Sequence, residues 1–81
     1  MKRLPPEVRR IVILKAALKA ISVHGIHNLT LFHVSQRAEV ETSIGTIRRY
    51  FKDREALFNG LLDFDDTSDD LITEIKRCGY V

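Results

Sequence analysis

"SIGTIRRYFKDREALF", residues 43–58, is the stretch on which the reading of this chain turns. A serine opens it, Gly45 and Thr46 follow, and Arg48 and Arg49 stand side by side before Tyr50 and Phe51. Ile47 and Phe51, four apart, share one helical face and take the buried side, which turns Thr46, Arg48 and Arg49 towards other faces. Ser43 or Thr42 is placed to cap this helix through a side-chain oxygen. Asp53 caps the next one, "REALFNGLLDF", with Leu57, Leu61 and Phe64 along its inner stripe. Two short helices in tandem, the first carrying paired arginines, fit either a solvated surface or a nucleic-acid groove.

Upstream, Pro5 and Pro6 open a first helix, with Glu7 near its positive end. Val8, Ile11, Leu14, Leu18 and Ile21 recur at the helical period and form its expected core stripe; Lys15, Lys19 and Ser22 fall between them on another face. Gly25 ends it, free to take positive φ. A second helix is expected from Leu31, capped by Thr30, with Leu31, Val34 and Ala38 as its stripe and Val40 just beyond. "EVETS" is the turn to the third helix. Downstream, "DDTSDD" interrupts the apolar pattern as a solvated linker. Ser68 or Thr67 then caps "DDLITEIKR", whose acids come first and bases last, as the helix dipole favours. The expected fold is all-α, four to five short helices with no strand. Residues 1–64 form one domain, and 65–81 form an acidic linker and a short C-terminal helix.

Eighty-one residues make one domain, and a chain so short buries only roughly 60% of its unfolded surface, which favours association. With 44% hydrophobic and 30% charged residues the balance is that of a folded globular domain. The single cysteine, Cys78, excludes an internal disulfide and suits a reducing cytoplasm. "IVIL" at 11–14 is too short for a membrane span, and "MKRLPPEVRR" leads into no signal-peptide core. A cytoplasmic protein is expected. Charge is unevenly placed: residues 1–59 hold eleven lysines and arginines against five acids, and residues 60–81 hold two against six. A basic body with an acidic tail points to a polyanion on one side.

The candidate chemistry follows from those cations. Arg48, Arg49, Lys52 and Arg54 stand within seven residues, and each phosphate they neutralise steepens the salt dependence of DNA affinity by roughly 0.9 in log–log slope. Arg48 or Arg49 can donate two bonds to a guanine edge, worth roughly 1–3 kcal/mol of discrimination. Gly45 allows close approach to a groove, and Ile44 and Thr46 can meet a thymine methyl. Thr30 and Ser43 serve as caps or phosphate contacts, and Arg54 pairs locally with an acid such as Asp53 or reaches a phosphate. Catalysis is not expected. His24, His27 and His33 cross a helix end without an acid partner and read as helix-end, loop and surface residues. The acids at 63–70 lack the ligand spacing of a calcium loop. No metal and no cofactor is expected, and Cys78 reads as a small packing residue.

"ILKAALKAISVHGI" (13–26), "LTLFHVSQRAEV" (29–40), "SIGTIRRYF" and "FKDREAL" stand in an order that resembles the N-terminal DNA-binding domain of the TetR family of bacterial repressors. The resemblance covers roughly residues 8–63 and implies a helix-turn-helix on a homeodomain-like three-helix core. It implies a sequence-specific transcriptional regulator, expected to be a repressor, that sets its third helix in the major groove of double-stranded DNA. Ile44, Gly45, Thr46, Arg48 and Arg49 would then read bases, and Thr30, Ser43, Tyr50, Lys52 and Arg54 would hold phosphates. Glu39 stands where the family has glycine, Glu41 and Thr42 lengthen the turn, and Arg48 replaces an aromatic. Family members continue into a large ligand-binding domain where this sequence has only residues 65–81, so no small-molecule effector is expected. A lone helix-turn-helix reads few base pairs, so a homodimer on a two-fold site is expected in the nucleoid. Leu71, Ile72 and Ile75, with Tyr80 and Val81, would form its interface unless they fold back over the core. The alternative is a protein-interaction module on the same scaffold, with the acidic tail meeting a regulator or polymerase.

Overall fold

The computed structural model describes residues 4–79. They form α1 (Pro6–His24), a 3₁₀ turn (Ile26–Asn28), α2 (Leu31–Arg37), α3 (Ile44–Tyr50), α4 (Arg54–Leu62) and α5 (Asp69–Arg77), and the described residues contain no strand. All five helices start on the expected kind of residue, α1 on Pro6 and the other four on a side-chain cap. Thr30, Ser43, Asp53 and Ser68 each accept a backbone N–H three residues on, at 3.1, 3.1, 2.9 and 3.2 Å. A side-chain cap of this kind contributes typically about 1 kcal/mol, which matters most to helices of seven to nine residues. Gly25 ends α1 at φ 83°, its N–H donating to Ile21 O at 2.8 Å.

The core face of α1 keeps Leu14 of the expected stripe, with Leu18 and Ile21 packed at its margin, but its centre is displaced from that stripe. Ile13, Leu14, Ala16, Ala17 and Ala20 are buried, whereas Val8 and Ile11 are exposed and Leu18 and Ile21 only half-buried. "IVIL" places apolar groups in every direction around the helix, so periodicity alone could not choose a face. The alanines decide it, because their small side chains let α2, the main neighbour of α1, come close. Val34, Ile47, Leu57, Phe58 and Leu61 meet Ile13 and Leu14 in one core, with Ile26 and Leu29 beneath the 3₁₀ turn. Phe64 packs at its margin.

Ile75 belongs to the same core and is fully buried, so it is not the interface residue expected from the sequence. Leu71 and Ile72 are half-buried; Tyr80 and Val81 lie outside the described residues. The tail folds back because α5 has one apolar side to cover and α4 is its neighbour. "DDTSDD" is not wholly solvated either: its aspartates are exposed, but Thr67 is buried. No described helix is long and apolar enough to cross a membrane.

Phe51 closes α3 and lies against α4 at Gly60, where a Cβ would come within 2.6 Å of Phe51 Cε1. The Arg10 guanidinium covers the ring at 5.2 Å from its centroid. Glycine inside a helix ordinarily loses about 1 kcal/mol relative to alanine, so here the close packing outweighs propensity. Gly60→Ala is expected to destabilise the protein by about 1–3 kcal/mol, read as a lower urea midpoint, because the buried ring must move. An unchanged midpoint would show that the ring yields freely.

A second constraint sits at the start of α2. His33 Nδ1 accepts from Thr30 N–H at 3.3 Å, completing a reciprocal cap in which histidine takes the place of the usual glutamate, and its ring stacks on His24 at 3.7 Å. Desolvation, then the His33 and Arg37 charges, lowers the His24 pKa below its ordinary value. The unfolded chain therefore takes up this proton more readily than the folded one. Stability is fully present above the ordinary histidine value of about 6.5 and is lost as pH falls from there towards the lowered value. Denaturation at about pH 7.5 and about pH 5.5 should show a lower midpoint in acid, and the drop should shrink in His24→Phe. An equal drop in that variant would remove His24 as the cause.

Candidate nucleic-acid interface

Ile47 and Phe51 point inward, which fixes what α3 presents outward. At 100° per residue Gly45 and Arg49 lie on the side furthest from Ile47 and Phe51, and Gly45 stands between Arg49, about 40° to one side, and Arg48, about 60° to the other. All three are exposed, and neither arginine has an ion pair or hydrogen bond among the described residues. A helix backbone bare at its centre and cationic on both sides fits a groove between two rows of phosphates. Ile44 and Thr46 flank this line and are half-buried, and Thr46 Oγ1 lies 3.1 Å from Ser43 Oγ. Of the five residues expected at base edges, Gly45, Arg48 and Arg49 therefore share the outward face, while Ile44 and Thr46 edge it.

The residues expected at phosphates fall into three situations. Thr30 and Ser43 are exposed caps at the starts of α2 and α3. The Thr30 hydroxyl accepts from His33 N, which leaves its own hydrogen to donate outward. Lys52 is exposed between α3 and α4; Tyr50 is half-buried and lines a groove with Arg9, Thr46, Arg49 and Pro6. Arg54 does something else. Its Nη1 donates to His27 O at 3.3 Å and Leu29 O at 3.2 Å, tying the start of α4 to the segment before α2.

The turn from residue 38 to 43 is held by contacts that the sequence did not announce. Arg9 Nη1 donates to Glu41 O at 3.3 Å and to Thr42 Oγ1 at 3.2 Å, and the buried Thr42 hydroxyl donates to Val40 O at 2.7 Å. Glu39 pairs with Lys19 at 3.1 Å. The lengthened turn is thus fastened to α1 at both ends. The pair "RR" at 9–10 was the available signal, one arginine bracing the turn and the other covering Phe51.

The histidines and the cysteine do not gather into a site. His24 and His33 stack face to face, and Cys78 Sγ lies 3.8 Å from His27 Nε2 where α5 meets the 3₁₀ turn. The described residues contain no group of three or more His, Cys, Asp or Glu able to hold a metal ion.

Residues 13–61, more than half of the chain, match the family of bacterial regulatory proteins, tetR family. No curated protein and no solved structure matches the chain. The matched span begins within α1 and ends within α4, so it contains the α2–turn–α3 unit whole. This chain belongs to the tetR family of bacterial regulatory proteins and is a helix-turn-helix, DNA-binding regulator of transcription.

Proposed function

We propose that the protein binds a specific double-stranded DNA site by setting α3 in the major groove, and that it represses transcription there as a homodimer in the cytoplasm. The outward line of α3, Gly45 between Arg48 and Arg49, which have no ion pair among the described residues, carries this reading. Arg48 and Arg49 are suited to guanine O6 and N7, and the bare Gly45 lets the helix axis sink towards the base edges. Thr30, Ser43, Tyr50 and Lys52 stand at the flanks, where phosphates would pass, and fix register without reading sequence. Arg54 serves the same complex indirectly, by holding α4 against the segment that leads into α2. Repression follows from occupancy, since a protein seated on its site excludes polymerase from the same duplex.

Gly45 gives a clean test because it is needed for approach and not for folding. A Cβ there would meet only Ser43 Oγ, at an ordinary 3.8 Å. Gly45→Ala should therefore fold at least as stably as the wild type, by up to about 1 kcal/mol, yet bind its selected site more weakly. Sites would be selected from a randomised duplex pool at near-physiological salt. Arg49→Ala is expected to lose about 1–3 kcal/mol of discrimination at one base position. Lys52→Ala should weaken all duplexes alike and flatten the salt slope by roughly 0.9. If folded wild-type protein enriches no sequence, specific reading fails, and a protein-interaction role for the acidic tail takes its place. Full affinity in Gly45→Ala would mean that α3 does not enter the groove by this face.

A further inference from the structure

Leu4 and Pro5, which lead into α1, stand beside the helix proposed to read bases. They form part of one wall of a groove whose other wall is Thr46, Arg49 and Tyr50 of α3. Arg9 lines the same groove, and no described acidic residue does. Around the axis of α3, Thr46 and Tyr50 lie about 60° and 100° to one side of Arg49, while Gly45 and Arg48 lie to the other. The start of α1 therefore flanks the outward face of α3, and Arg49 belongs to both. Pro5 has φ −56° and ψ 151°, the extended form of a polyproline chain, and Leu4, standing before a proline, is steered to extended backbone as well. Lys2 and Arg3 come next towards the N-terminus, ahead of the described residues. Two residues span at most about 7 Å, so the covalent chain keeps both cations close to this wall.

A helix about 10–12 Å across fills a major groove about 12 Å wide. Whatever stands against the flank of α3 then stands over the bordering row of phosphates, and beyond that row lies the minor groove. We propose that Lys2 and Arg3 enter this minor groove and select A·T pairs there. The protein then reads one duplex through two grooves, bases through α3 and A·T content through the segment before α1. The inference rests on the placement of α3 proposed above. A narrow A·T-rich minor groove concentrates negative potential and draws lysine and arginine into it. A G·C pair instead projects the guanine 2-amino group into the same space. The two prolines lower the cost of ordering this lead, because their φ is fixed before DNA is met.

Duplex selection with the full chain, followed by affinities for the selected site with altered flanks, tests this. The wild type should enrich A·T pairs beside the positions read by α3, and should bind A·T flanks at least about fivefold more tightly than G·C flanks. Inosine·cytosine flanks separate the grooves, since inosine lacks the 2-amino group: their major groove is that of G·C and their minor groove that of A·T. They should bind as A·T flanks do. The double variant Lys2→Ala, Arg3→Ala should bind all three flanks alike, keep its preference at the positions read by α3, and show a flatter salt slope. Each comparison is a ratio within one protein, so a partly unfolded variant does not imitate the effect. Inosine·cytosine flanks that bind like G·C overturn the proposal, as does a double variant that keeps the wild-type flank preference. A loss in that variant equal for every flank also overturns it, because contact with phosphates alone gives that result. A wild type that selects a core sequence without any flank preference removes the minor-groove reading and leaves α3 in place. One that selects no sequence removes both.

Discussion

A helix of seven residues does not hold its own shape in water, so the whole presentation of α3 depends on the ring of Phe51 at its end. That ring sits between α4, bare at Gly60, and the Arg10 guanidinium of α1. Three helices therefore meet at one aromatic side chain. With Ile47 one turn earlier also buried, the rotation of α3 about its axis is fixed by two inward groups, and the outward line of Gly45, Arg48 and Arg49 is what remains. The surface that would touch DNA is defined from behind. Changes to the packing side can alter the binding side without touching it.

The turn before α3 solves a related problem. It is long, and Glu39 stands at its entry, so local backbone preference alone would leave the angle between α2 and α3 loose. Arg9 and Lys19, on α1, tie it from outside through Glu41, Thr42 and Glu39. The Lys19–Glu39 pair is exposed and contributes little, roughly 0–1 kcal/mol. The Thr42 hydroxyl is buried, where loss of its partners costs about 1–3 kcal/mol. Arg54 makes the corresponding tie on the other side of α2. The helix-turn-helix is thus a short unit clamped by the two helices that flank it.

What could be read in the sequence was what short-range chemistry decides. Thr30, Ser43, Asp53 and Ser68 are caps because a cap is settled within four residues. Ile47 and Phe51 face inward because a step of four leaves little choice. The inner face of α1 is only partly legible, Leu14, Leu18 and Ile21 but not Val8 and Ile11, because the helix is apolar on several sides and only its neighbours select among them. Ile75 was assigned to a surface because its burial depends on where α5 docks, which the sequence of α5 does not contain. The partners of Arg9, Arg10 and Gly60 are hidden for the same reason: each acts on a residue more than eight positions away along the chain, and the pair at 9–10 marks two cations without saying what they meet. The outward residues of α3 were legible by subtraction once its inner side was known.

The chain has a single thiol, Cys78, half-buried at the seam where the end of α5 meets His27. Its surroundings give it a use as a clock. A bulky alkylating reagent must wait for that seam to part, so the rate at which the thiol is consumed counts how often α5 lifts from the body. With no second thiol to confuse the signal, the native sequence carries its own reporter of tail undocking, readable by mass spectrometry without adding a label.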